Sequence, residues 1–146
     1  MLLALVLFLG ATGVVMRTEK QSESRQLKEA FLLLTDRLIE LGLHQIDCPS
    51  FYDDDPYEFR ACFGLKNTPE NFISTLDKSL LSVATRTVGW QQDYGSWGAF
   101  YRLAKNRHIR FGISLTAKEI DPELEKHLPL RDFYAFGRIT VVETED

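Results

Sequence analysis

The spacing of hydrophobic residues changes twice along the chain, and the changes divide it. Met1 to Met16 is an apolar run without a charged side chain. From Thr18 to Leu41 the apolar positions Leu27, Ala30, Phe31, Leu34, Leu38 and Leu41 recur at three- and four-residue steps, which predicts one helix with a single apolar stripe. Thr18 to Gln26 is polar nearly all round, so this part of the helix is expected to stand in water, and Gly42 is placed to stop it. Beyond a turn-rich stretch, Gln45 to Pro56, the period becomes two. Tyr57, Phe59, Ala61, Phe63 and Leu65 alternate with Glu58, Arg60, Cys62 and Gly64, which predicts a strand.

Thr68-Pro69-Glu70 then reads as the start of a second helix, whose buried stripe is Phe72, Ile73, Leu76, Leu80 and Val83. Ala84 to Ser96 reads as a loop, with Trp90, Tyr94 and Gly95 either forming a contact surface or folding back over the core. Trp97 to Lys105 and His108 to Thr116 predict a hairpin turning at Asn106-Arg107. One arm points Trp97, Ala99, Tyr101 and Leu103 inward, and the other Ile109, Phe111, Ile113 and Leu115. Lys118 to Leu128 is a polar, weakly helical connection ended by Pro129, and Ala135 to Glu143 is the last strand. The fold class that follows is α+β: a long N-terminal helix, partly membrane-embedded, packed on a four-stranded mostly antiparallel sheet with one further helix. Its divisions are residues 1–16, an apolar transmembrane segment; 17–44, the amphipathic continuation; and 45–146, an α+β head.

The apolar run has three readings that charge placement separates. A secretory signal peptide wants a basic stretch before the apolar one, and Leu2 follows Met1 directly. A simple anchor obeying the positive-inside rule, with Arg17, Lys20, Arg25, Lys28 and Arg37 on its C-terminal side, places the head in the cytoplasm. In the third reading, Leu2-Leu3-Ala4-Leu5-Val6-Leu7-Phe8-Leu9-Gly10-Ala11, continued by an unbroken helix to about Gly42, resembles the part of a type IV pilin or type II secretion pseudopilin helix that follows the family's Gly-Phe-Thr-Leu-Ile-Glu signature. The signature itself is missing, and the resemblance implies that it lies upstream of Met1. It also implies a membrane-anchored protein with an extracytoplasmic head, built as a minor pilin-like structural subunit of a cell-envelope filament. Sister subunits or other envelope proteins would be its partners, held through Leu27, Phe31, Leu34 and Leu38, with the membrane engaged by Met1 to Met16.

Composition adds boundaries. With 45% hydrophobic and 26% charged residues the chain is an ordinary globular sequence, and its net charge of −4 gives no general attraction to nucleic acid. Cys48 and Cys62 can form one disulfide, which an exported head would keep. With His44 they supply three potential zinc ligands, but a fourth and a Cys-x-x-Cys pair are lacking. Asp53-Asp54-Asp55 invites a calcium reading, although the spacing is not that of an EF-hand loop. No HExxH, Walker, GxGxxG or GxSxG motif occurs, and Gly95-Ser96-Trp97-Gly98 precedes a strand where a serine elbow would follow one. No enzyme, cofactor, metal or small-molecule substrate is therefore assigned.

One constellation stands out. If the four strands share a sheet, Arg60, Arg102, Arg110 and Arg138 all project from the face away from the core, with Phe100 and His108 among them. Gathered arginines hold carboxylates or phosphates by paired hydrogen bonds, or they simply pair with neighbours such as Glu58 on a solvated face. A binding module that uses this arginine face is the alternative to the filament subunit.

Overall fold

The computed structural model describes residues 12–53 and 59–145, with side chains from residue 20 onward. Helix α1 spans Thr12–Glu40. Leu34 and Leu38 on it are fully buried, Ala30 and Thr35 nearly so, and Leu27 and Phe31 pack against the same core, whereas residues 20–26 are all exposed. The helix stops as the glycine predicts. Gly42 takes φ +99°, its N–H donates to Ile39 O, and the Leu43 N–H donates to Leu38 O across 3.2 Å. This closes the last turn in a left-handed cap that leaves Leu43 buried beneath it.

The six strands are β1 (His44–Ile46), β2 (Phe59–Leu65), β3 (Ala84–Asp93), β4 (Ser96–Leu103), β5 (Ile109–Ala117) and β6 (Ala135–Glu143). They form one sheet in the order β1-β2-β6-β5-β4-β3, and every pairing is antiparallel. Helix α2 (Pro69–Leu80) buries Phe72, Leu76 and Leu80, and it shares with α1 the sheet face carrying Ala61, Phe63, Tyr101, Phe111, Ile113, Ile139 and Val141. Thr68 occupies the N-cap with extended backbone but makes no side-chain cap hydrogen bond; Pro69 supplies the preset first turn. Full burial of an aliphatic side chain such as Leu34 or Leu76 contributes about 1.5–3 kcal/mol, so this layer carries most of the stability.

The opposite face is covered at one end only. Cys62 and Phe136 from the sheet pack with Leu124 of the short helix α3 (Pro122–Lys126) and with Leu130, flanked by Ile46, Cys48, Tyr52 and Phe133. The Cys48–Cys62 disulfide pins this layer to β2.

Several expectations need correction. The sheet has six strands, not four, and two helices follow α1 instead of one. The segment read as a loop from Ala84 is strand β3, joined to β4 by a two-residue turn in which Tyr94 and Gly95 take φ 46° and 78°. It escapes an alternation test because it lies at the sheet edge, exposed on both sides, and its register shifts twice, between Arg86 and Val88 and between Val88 and Gln91. Strand β1, three residues long, is too short for a periodic signal. The transmembrane segment and the membrane-anchored location are also set aside, because no helix among the described residues is long and apolar enough to cross a membrane. The part of the apolar run that α1 contains begins at Thr12 and leads at once into Arg17, Glu19 and Lys20. Met1 to Ala11 lies outside the described residues, as do residues 54–58, which include most of the acidic run.

Candidate functional site

The register of the strands turns the open face into ordered rows. Val142, Arg110, Arg102 and Thr85 stand side by side across β6, β5, β4 and β3. The next row is Arg60, Thr140, Gly112, Phe100 and Val88, and the one after it Cys62, Arg138, Ser114, Gly98 and Gln91. Rows form because alternate residues of a strand share a face. All four predicted arginines and Phe100 are thereby brought to one surface.

Within it lies a groove of about 420 Å³ whose lining comes entirely from β4, β5 and β6. Phe100, Arg110 and Arg138 line it; Arg102 is the cross-strand neighbour of Arg110, and Arg60 that of Thr140, both beside the groove. Two glycines make the groove. Gly98 leaves its position empty, and the Phe100 ring lies over Gly112 so closely that a methyl group there would come within 2.9 Å of it. Phe100 is nonetheless 57% exposed, an aromatic ring presented to solvent.

Arg138 is set in place by the covering layer. Its guanidinium sits 4.6 Å from the centre of the Tyr52 ring, which stacks in turn on Phe136. Arg102 and Arg110 stand directly opposite one another across the β4–β5 pair, which concentrates positive charge at this point of the face. The Arg102 Nε and the Thr140 Oγ1 are buried and have no hydrogen-bond partner among the described residues. Unfilled donors at a surface groove are what an incoming acceptor would use.

Sequence reasoning named the arginines and Phe100 but not Ser114, Thr140, Val142, Gly98 or Gly112. The same alternation places these on the face, yet small and hydroxylated residues carry no chemical signal of their own. Tyr52 ends a single 3-10 turn, Ser50–Tyr52, too short to leave a periodic signal.

The other candidates resolve differently. Trp90 and Trp97 fold back: the Trp90 indole donates to Asp77 Oδ1 and that of Trp97 to Glu70 Oε1, both on α2. Asp77 also accepts from the buried Tyr101 hydroxyl at 2.7 Å and pairs with Arg86 at 2.7 Å. Burial, and then the hydrogen bond to Asp77, push the Tyr101 hydroxyl well above the usual phenol range. This cluster joins α2 to β3 and β4 under the sheet and is walled off from the groove. His44 packs at a tilt against Phe133, and with Cys48 and Cys62 oxidised no zinc set forms; the described residues contain no group of three metal-ligating side chains. Of the proposed helix assembly face, Leu34 and Leu38 are spent on the chain's own core, and Leu27 and Phe31 are partly buried against it.

The chain matches no protein-family model, no curated protein and no solved structure.

Proposed function

We propose that the chain is a binding module that holds an anionic partner on the open face of its sheet. The observation that carries this reading is the direct opposition of Arg102 and Arg110 beside a glycine-floored groove, in a chain of net charge −4. An acidic protein that places like charges in register on one face concentrates a positive field there, and two adjacent guanidiniums match the geometry of carboxylates or phosphates. The Cys48–Cys62 bridge supports a working environment that is oxidising.

The test is fluorescence anisotropy of labelled poly-L-glutamate against the wild type and an Arg102→Gln/Arg110→Gln double variant. Both side chains are half-buried on the open face and take no part in the apolar core, so a circular-dichroism melt of the variant accompanies the binding curve. The reading expects a salt-dependent complex that weakens at least tenfold in the variant; equal affinity for the two proteins would contradict it.

A second reading, a pilin-like subunit packing on sister subunits, draws support from the outer side of α1, where Leu32, Leu33 and Ile39 are 48%, 47% and 43% exposed. Apolar residues so placed on a helix suit lateral packing. If this is right, the wild type self-associates at high concentration by light scattering and Leu32→Asp/Leu33→Asp abolishes it. A wild type that stays monomeric speaks against it.

A further inference from the structure

The groove's dimensions narrow the partner. Arg110 and Ser114 are four residues apart on β5, and Ser114 is the register partner of Arg138 on β6. The backbone positions of the two arginines that line the groove are thus about 13 Å apart along the strand direction, at roughly 3.3 Å per residue. Midway between them lies the row of Thr140, Gly112 and Phe100, where the exposed ring supplies an apolar wall and Thr140 Oγ1 an unfilled hydroxyl. The site therefore reads cation, apolar, cation along one line.

An extended polypeptide has the same repeat. Residues i, i+2 and i+4 of a strand share one side, and i and i+4 are again about 13 Å apart. We infer that the partner is an extended protein segment with acidic side chains at i and i+4 and an apolar side chain at i+2, lying along β5 across the Phe100 ring that covers Gly112. The inference rests on the anion-binding reading of the same face. Charge complementarity selects the acidic positions, and the Phe100 ring selects the central one. The lining selects a segment over a small molecule: sites for small ligands bury most of the ligand on several sides, whereas this groove is lined by three adjacent strands of one sheet face. A segment needs contact on one side only.

Binding to two seven-residue peptides, measured by calorimetry at low salt, tests this. The first is acetyl-Thr-Glu-Thr-Val-Thr-Glu-Thr-amide; the second has the same composition with the two glutamates adjacent, Thr-Glu-Glu-Val-Thr-Thr-Thr. The spaced peptide is expected to bind about tenfold more tightly, since the adjacent pair reaches one arginine only and each charge-assisted contact contributes about a tenfold factor. Arg110→Gln and Arg138→Gln should each remove that advantage, and Phe100→Ala should weaken the spaced peptide several-fold. Equal affinity of both peptides, lost alike in the arginine variants, would overturn the spacing while leaving the anion-binding reading standing. Binding of neither peptide, with poly-L-glutamate also failing, would overturn both. Tighter binding of inorganic pyrophosphate than of the spaced peptide would replace the segment by a small anion.

Discussion

Asp77 receives three donors from two strands, so its removal should be felt well beyond the helix that carries it. In Asp77→Ala the Tyr101 hydroxyl, on a side chain with no exposed surface, loses its acceptor; an unpaired buried hydroxyl costs about 1–3 kcal/mol. The Trp90 indole N–H, partly buried and 3.2 Å from the same oxygen, adds about 0.5–1.5 kcal/mol. Arg86 is 39% exposed on its side chain, and its pair with Asp77 adds about 0–1 kcal/mol after solvent screening. The total is about 3 kcal/mol, or roughly 10 °C in melting temperature for a domain of this size. Urea denaturation of the wild type, Asp77→Ala, Tyr101→Phe and the double variant measures it. Because Tyr101→Phe deletes the donor that Asp77→Ala strands, the double variant should be more stable than the sum of the two single losses by about 1–2 kcal/mol. An Asp77→Ala loss below about 0.5 kcal/mol, or strict additivity in the cycle, would refute the view that this carboxylate clamps α2 to β3 and β4.

Three further outcomes follow from the same structure. The Tyr101 hydroxyl has its folded-state pKa raised, so its contribution is fully present below the unfolded value of about 10 and is lost as pH climbs above it; alkaline titration of stability should fall more steeply for the wild type than for Tyr101→Phe, and parallel curves would contradict this. Reducing the Cys48–Cys62 bridge, which closes a separation of 14 residues, should cost about 3 kcal/mol and lower the melting temperature measured with dithiothreitol, whereas an unchanged melt would show the layer over β2 holding without it. Gly64→Ala drives a methyl into the Phe133 ring and should cost about 1–3 kcal/mol, with Phe133→Leu in the same chain restoring part of it; a neutral Gly64→Ala would mean that the ring is free to move.

Legibility varied with burial. Strands β4, β5 and β6 alternate apolar and polar residues because one face of each is covered by helices, and their inward rows match the periodicity closely: Ile109, Phe111, Ile113 and Leu115 are all buried. The same covering explains α2, whose Phe72, Leu76 and Leu80 mark its stripe. Where burial is one-sided or missing the signal fails. Strand β3 is an edge with polar residues on both sides and two register shifts, so its only local marks are the β-branched Thr85, Thr87 and Val88 and the turn at Tyr94-Gly95. With the three-residue β1 equally without a periodic signal, the sequence pattern alone yields four strands of the six. The apolar run at the start differs in kind: hydrophobicity alone does not distinguish a membrane segment from the start of a helix, and α1 carries the run from Thr12 straight into the charged stretch at Arg17, Glu19 and Lys20.

The site was half legible for the same physical reason. Arginine in a strand is conspicuous, and alternation alone puts Arg60, Arg102, Arg110 and Arg138 on one side. Which of them share a groove depends on register, and register across β4, β5 and β6 is a property of the assembled sheet. That is why the glycines at 98 and 112, the hydroxyls of Ser114 and Thr140 and the Tyr52 support beneath Arg138 emerge only in three dimensions.

The central claim is that the open face of β4, β5 and β6 is the binding surface. Two-dimensional amide NMR of the isotope-labelled chain, titrated with poly-L-glutamate, addresses it directly. The account predicts shifts clustered on Gly98, Phe100, Arg102, Arg110, Gly112, Ser114, Arg138 and Thr140, saturating together and fading with added salt. Shifts confined to the outer side of α1 around Leu32, Leu33 and Ile39, or no shifts on the sheet at all, would contradict it.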